Sequence, residues 1–511
     1  MHHAHHAHHV LCGLAANTAL SSEVVDRLIE VADADVAARL ADRADLGHAQ
    51  AVALFSRVAE CGVQLAHEGR LTAADVDPVA QPDVALVLLD EGAGSPEWAR
   101  ALAADPVPAR RERLAACPAL PADVVKTLAA DPDVGVVAEL ALWTSSDVVA
   151  GLARHPHAQV RRSAAANEAT PPDVLAALLT GHGLPPVRRC AVCDQEATPF
   201  VHERQCPRPD CVLPPGASCA GAHESAVHDI RQAALRNPAT PAEAALGFAD
   251  HPSMLLRWAL AARPDLPPEI YRRLAADLAP GVRADVAENA AIDEALMRTL
   301  ADDRDPDVRR ALAHNPRVPL DLLTHLAGFA RIGATLLPRI AAATAAEVRR
   351  LVRSPDPAAR MLVARRRDLP PEIRDRLAED PDAKVVKAVA PHPGLSEARL
   401  RAMVDRHGVR VLTGVAANPD ATAALLEQLI RHEPPVPKAF REIARHPNAS
   451  ARVLQACLTD SRARPVAAGR PTLPPAVVVA LLDDADPRVV EAAAANPALP
   501  PGVIAALIPR A

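Results

Sequence analysis

The chain repeats itself at intervals of about 26 residues, and a period of that length confines it to architectures in which one small unit is stacked many times. Aligning DPDVRRALAHNPRVPLDLL from Asp305 with HAQVRRSAAANEATPPDVLAALL from His157 and DPRVVEAAAANPALPPGVIAAL from Asp486 gives one consensus, D-P-x-x-V-R-x-x-A-A-x-N-P-x-L-P-P-E-V-L-x-x-L-A. With its Asn as a marker, the position recurs at Asn237, Arg263, Asn289, Asn315, Ala341, Arg366, His392, Asn418, His446, Arg470 and Asn496. In the first half it recurs at Asn17, Arg43, Glu68, Glu91, Cys117, Ala141 and Asn167, about eighteen units in all. Steps run from 23 to 28 residues except one, Asn167 to Asn237, which is 70.

Each part of the unit has a physical role. Asp-Pro starts a helix, with Asp capping it and Pro at the first helical position, where its missing N–H is no loss. Val and Ala then face inward for two turns, and Asn-Pro stops the helix because Pro disfavours helical geometry in the residue before it. Pro-Pro opens a second short helix whose apolar residues lie three and four apart. Neither helix can bury its face alone, so neighbouring units must share a core. The expected fold is all-α, a solenoid of two-helix repeats. The composition agrees: half the residues are hydrophobic but only 2% are aromatic, so the core must be built from Ala, Leu and Val in closely packed helices.

These units resemble the leucine-rich repeat variant (LRV) family, which is close in character to HEAT repeats. The likeness spans nearly the whole chain, closely at Asp305 and poorly over FSRVAECGVQLAHEGRL from Phe55. The resemblance implies alternating α- and short 3₁₀ helices in a right-handed superhelix that serves as a recognition scaffold, with no catalytic residue to carry over.

The anomalous step holds an insert, residues 182–223, between repeats 10–181 and 224–511; five of the nine cysteines lie in it. Cys190 and Cys193 form C-x₂-C, twelve residues follow, and Cys206 and Cys211 form C-x₄-C. Two close cysteine pairs at that distance can close a tetrahedral Zn²⁺ site, and the metal would supply the folding free energy of a segment with no apolar core. Cys219, His223 and His228 continue as C-x₃-H-x₄-H, a possible second site that His202 or Cys211 would complete. The alternative cofactor is a 4Fe–4S cluster, because some LRV proteins join their repeats to a cysteine module holding one. That module is N-terminal, however, and the spacing here departs from the C-x₂-C-x₂-C run.

Four further features bear on function. Residues 1–9, MHHAHHAHH, read as a tail outside the solenoid that either chelates metal through neutral imidazoles or is disordered. Cys12, Cys61, Cys117 and Cys457 read as buried small hydrophobes. Arginine recurs six residues before the marker, at Arg111, Arg161, Arg231, Arg257, Arg283, Arg309, Arg360 and Arg464. Stacked units would align these into a stripe for phosphates or, as the favoured reading, a ladder with the aspartates ten residues before the marker: Asp131, Asp305, Asp356 and Asp486. Charge is nearly balanced, with 63 acidic and 56 basic residues, unlike a general nucleic-acid binder.

No phosphate-binding glycine loop, G-x-S-x-G or H-E-x-x-H occurs, and no apolar run is long enough to span a membrane. The expectation is a cytoplasmic, non-enzymatic scaffold that binds a protein partner on its concave face. Nucleic-acid binding through the arginine stripe and an iron–sulfur redox role are the alternatives.

Overall fold

In a computed structural model of the chain, which describes residues 2–191, 193–194, 223–329 and 335–509, the expected α-solenoid is present. Among the described residues there are 35 α-helices and three 3₁₀ helices, and the only β-pairing is a single bridge, His157 with Arg189. Among the described residues no helix is long and apolar enough to cross a membrane.

The repeat grammar is realised as read. Asp305, Asp356 and Asp486 cap the helices Pro306–His314, Pro357–Ala364 and Pro487–Ala494, each accepting a hydrogen bond from the N–H two residues on, with Pro at the first turn. Asn315 ends the first of these helices in extended geometry. The interior is Ala, Leu and Val; the single tyrosine, Tyr271, is buried and satisfies its hydroxyl by donating to the Arg263 carbonyl at 2.7 Å.

The chain forms two compact units. The second comprises residues 76–333 and 337–339 and includes the insert. The first combines residues 1–75, 334–336 and 340–511, and within it the N-terminal repeat stacks on the C-terminal one. The helix His2–Ala15 lies against Pro487–Ala494 so closely that a Cβ on Gly13 would meet the Glu491 backbone and stand 2.7 Å from Ala494 Cβ. Glycine is required there by helix contact, not by its own backbone angles. His9 Nδ1 sits 2.6 Å from Glu491 Oε1 across this junction. The histidine-rich stretch set apart in the sequence is therefore, from His2 onward, continuous with the first repeat helix.

The marker residues bind the stack together. Asn315, fully buried, donates through Nδ2 to the carbonyls of Ala287 (2.9 Å) and Asn289 (2.8 Å) in the preceding unit, while its Oδ1 accepts from the N–H of Arg317. Asn167, Asn237, Asn289, Asn418 and Asn496 do the same. Where the marker is Arg43, Arg263, Arg366 or Arg470, the guanidinium reaches back to carbonyls of the preceding unit. Asn17 continues the series across the junction, donating to Ala494 O at 3.1 Å and Asn496 O at 3.0 Å. The marker, placed by the sequence at the helix stop, is also the chief polar link between units.

Candidate metal centre

The insert leaves the repeats after the helix Pro172–Thr180, where Gly181 takes left-handed geometry (φ 79°) that glycine adopts without strain. Residues 183–190 then run back along the preceding turn. Arg154 donates to Gly183 O, Arg161 to Pro185 O at 2.7 Å, Arg188 N–H to Pro156 O and Ala158 N–H to Arg189 O. Arg161 is one of the recurring arginines; the position twenty residues on, where other units place aspartate, is Gly181, and an insert carbonyl takes that role.

This docking fixes Cys190 and Cys193, and the chain re-enters the repeats at His223. Sulfur and imidazole atoms of Cys190, Cys193 and His223 all lie within 4.8 Å of one another. The two Sγ atoms are 3.7 Å apart, too far for a disulfide. Two thiolates bound to zinc at about 2.3 Å in a tetrahedron would be about 3.8 Å apart. The Cys190 N–H points at Cys193 Sγ (3.1 Å). His223 is buried and holds φ at 52°, strained for a residue with a side chain, immediately before the helix Glu224–Arg236. The residues present thus fit a metal: three soft or borderline donors at coordination spacing, with further donors in the same insert.

The candidate cluster takes residues from both groupings read from spacing: His223 lies with Cys190 and Cys193, while His228 Nε2 faces Ser253 Oγ at 2.7 Å. His202, Cys206, Cys211 and Cys219 lie outside the described residues.

Sequence reasoning missed the cluster's supporting residues. His157 Nδ1 accepts from the Gln159 N–H, the capping bond that Asp305 makes elsewhere, so Nε2 carries the proton and donates to Asp194 Oδ2 at 2.9 Å. Arg189 holds the other Asp194 oxygen at 3.1 Å. Burial, against the pull of Asp194, keeps His157 below the usual histidine range, and burial does the same for His155. The signal was available: the repeat's capping Asp is His157 in the one unit that carries the insert.

The arginine stripe is a ladder, but its rungs differ from those expected. Arg111 pairs with Asp131, as anticipated, while Arg257 pairs with Asp277, Arg283 with Asp303, Arg360 with Asp380 and Arg464 with Asp484. The partner is twenty residues on, at the turn of the next unit; Asp305, Asp356 and Asp486 are spent on helix caps. Arg283 is typical: Nε and Nη2 reach both Asp303 oxygens at 2.7 and 2.9 Å, and Nη1 reaches the Asp277 carbonyl at 2.8 Å. Burial would raise the Asp303 carboxyl, yet the bonds from Arg283 hold it below the ordinary range. These five guanidinium charges are therefore matched by five carboxylates.

No family model matches the chain, and no curated protein matches it. Among solved structures it is similar to a leucine-rich repeat variant with a novel repetitive structural motif, at 18% identity and a TM-score of 0.29, covering 53% of this chain and 88% of that one. It is also similar to an engineered protein at 13% identity and a TM-score of 0.13, covering 95% of this chain and 93% of that one.

Proposed function

We propose that the chain is a non-enzymatic, cytoplasmic scaffold that binds a protein partner along its repeats, with a Zn²⁺-organised insert as a second contact surface. The observation that carries this reading is the convergence of Cys190, Cys193 and His223 on a segment hydrogen-bonded to the repeat edge. The sequence offers further donors in Cys206, Cys211 and Cys219, and a zinc site closed by four protein donors is structural, because no position remains for substrate. The Asn and Arg side chains at the marker are occupied in linking units, so they favour a stiff platform over chemistry. The paired arginines weigh against a phosphate-binding stripe.

Metal analysis of the full chain tests the insert. At least one zinc per chain, lost in Cys190→Ser/Cys193→Ser and in His223→Ala with helicity retained, supports it. Iron with brown visible absorbance would transfer the site to redox chemistry, and metal content unchanged in these variants would refute the ligand assignment. For the scaffold role, a partner captured by the full chain should bind more weakly to Cys190→Ser/Cys193→Ser; equal binding would remove the insert from the recognition surface.

A further inference from the structure

One outward position of the repeat changes sign along the chain. Eight residues before the marker, at the start of the first helix, stand Asp35, Glu60, Asp83 and Asp307 in four units. In the last five units the same position holds Lys384, Arg410, Lys438, Arg462 and Arg488, and all five residues are exposed. Lys384, Arg410, Lys438 and Arg488 are the second residues of the helices Ala383–Val389, Val409–Ala416, Pro437–Arg445 and Pro487–Ala494, and Arg462 lies in the turn just before Arg464–Ala468. These helices pack side by side within one compact unit, so the five cations form a row. The row is bounded: eight before Arg366 is Ala358, and past Arg488 come His9, bonded to Glu491, and then Asp35.

Two observations set this row apart from ordinary surface charge. Arg257, Arg283 and Arg360, six before the marker, are spent on carboxylates, whereas among the described residues Lys384, Arg410, Lys438 and Arg462 have no ion pair. Arg488 turns to its own capping Asp486 at 2.7 Å, while the capping Asp382 accepts from the main-chain N–H of Lys384 and does not hold its ammonium. The second observation concerns the helix. Its N-terminal end carries a partial positive charge, so a carboxylate there raises helix stability and a cation lowers it. Asp35, Asp83 and Asp307 follow that preference, and the five successive units run against it, none of their helices having an acid in the first turn. Like charges repeated against both the dipole and one another point to an anion outside the chain.

We propose that this row docks an acidic, extended segment of a protein partner, with one carboxylate on each unit. The proposal rests on the scaffold reading and names the chemistry of its partner. Packed helices lie about 8–10 Å apart. A polyproline II segment rises about 3.1 Å per residue with about three residues per turn, so every third side chain falls on one face at intervals of about 9 Å. Acids at every third position therefore match the row, and the five units take about 13 residues. Lys387 and Arg441, one turn further along their helices, widen the positive face. A single-stranded nucleic acid fits less well, because it gains much of its affinity by stacking on aromatic side chains, and none is exposed on these helices.

Fluorescence anisotropy of a labelled peptide of repeating Glu-Pro-Pro, about 13 residues long, titrated with the full chain tests the row. We expect binding that falls with added salt as the screening length shortens. Arg410→Glu/Lys438→Glu should weaken it about tenfold or more and leave the melting temperature unchanged or higher, since a carboxylate at these helix starts suits the dipole. Arg162→Glu/Arg236→Glu, at exposed cations of the other compact unit, should leave binding unchanged. Equal binding by the row variant would overturn the proposal, as would equal binding of a peptide with the same glutamates in one block, which would remove the spacing argument. Binding of neither peptide would overturn this assignment alone and leave the scaffold reading to another face. A single-stranded oligothymidylate that binds in place of the peptides, and is lost in the row variant, would overturn both.

Discussion

Replacing Asn17 with Ala isolates the junction between the first and last repeats. The side chain is completely buried, donates to the carbonyls of Ala494 (3.1 Å) and Asn496 (3.0 Å), and accepts from the Ala19 N–H at 2.9 Å. The two bonds that cross the junction, at about 1 kcal/mol each, give a loss of about 2 kcal/mol, which carbonyls left dry in the junction would increase. Since 1.4 kcal/mol is tenfold in an equilibrium, the junction should open at least about 30-fold more often. Stacked repeats open locally, so the effect belongs to one region, not to a global midpoint. Hydrogen exchange resolved along the chain is the suitable assay. Amides of His2–Ala15 and Pro487–Ala494 should exchange faster by about that factor, while those of Pro306–His314, in the other compact unit, keep their protection. Unchanged protection at Pro487–Ala494 would show that the first repeat does not rest on the last, and the reasoning from Asn17 would fall.

Two other perturbations follow from the polar ladders. Arg283→Ala leaves Asp303, whose side chain is only 9% exposed, without its counter-charge and should cost about 3–5 kcal/mol in urea unfolding, whereas Arg283→Met with Asp303→Leu should cost clearly less; equal losses would contradict the pairing. His392 occupies a marker position, is buried with no well-formed hydrogen bond to either ring nitrogen, and is lowered from 6.5 to about 4 by burial and by the charges of Arg367 and Arg374. A base whose folded pKa is depressed contributes full stability above 6.5 and loses it as pH falls toward about 4, by at most about 3 kcal/mol. His392→Asn should flatten that part of the stability–pH curve, and a curve unchanged by the substitution would assign the acid sensitivity elsewhere.

The period, the two-helix unit and the Asp-Pro caps were legible because they depend on residues within a few positions of one another. What joins units was only half legible. A recurring Asn or Arg shows that a position matters, but not how far its side chain reaches. Asn315 spans to Ala287, and Arg283 pairs twenty residues onward where the sequence suggested a partner ten before the marker. The junction of Asn17 with Ala494 has no periodic signal, since a contact between residues 477 positions apart is not set by any local pattern. At the insert, residue type and C-x₂-C spacing found Cys190 and Cys193, yet the pairing with His223 depends on where the chain re-enters the repeats.

The marker side chains bind main-chain carbonyls, which every residue type supplies. At the marker, therefore, a unit recognises its predecessor's backbone and not that predecessor's side chains. Asn, Arg and His all serve at the marker, and where the marker is Glu68 the neighbouring Arg70 reaches back to the carbonyls of Leu46 and Ala44 instead. Such a joint works like a standard coupling: by itself it accepts a neighbour of any sequence, and it is the Arg–Asp rungs, as between Arg283 and Asp303, that require a matched one.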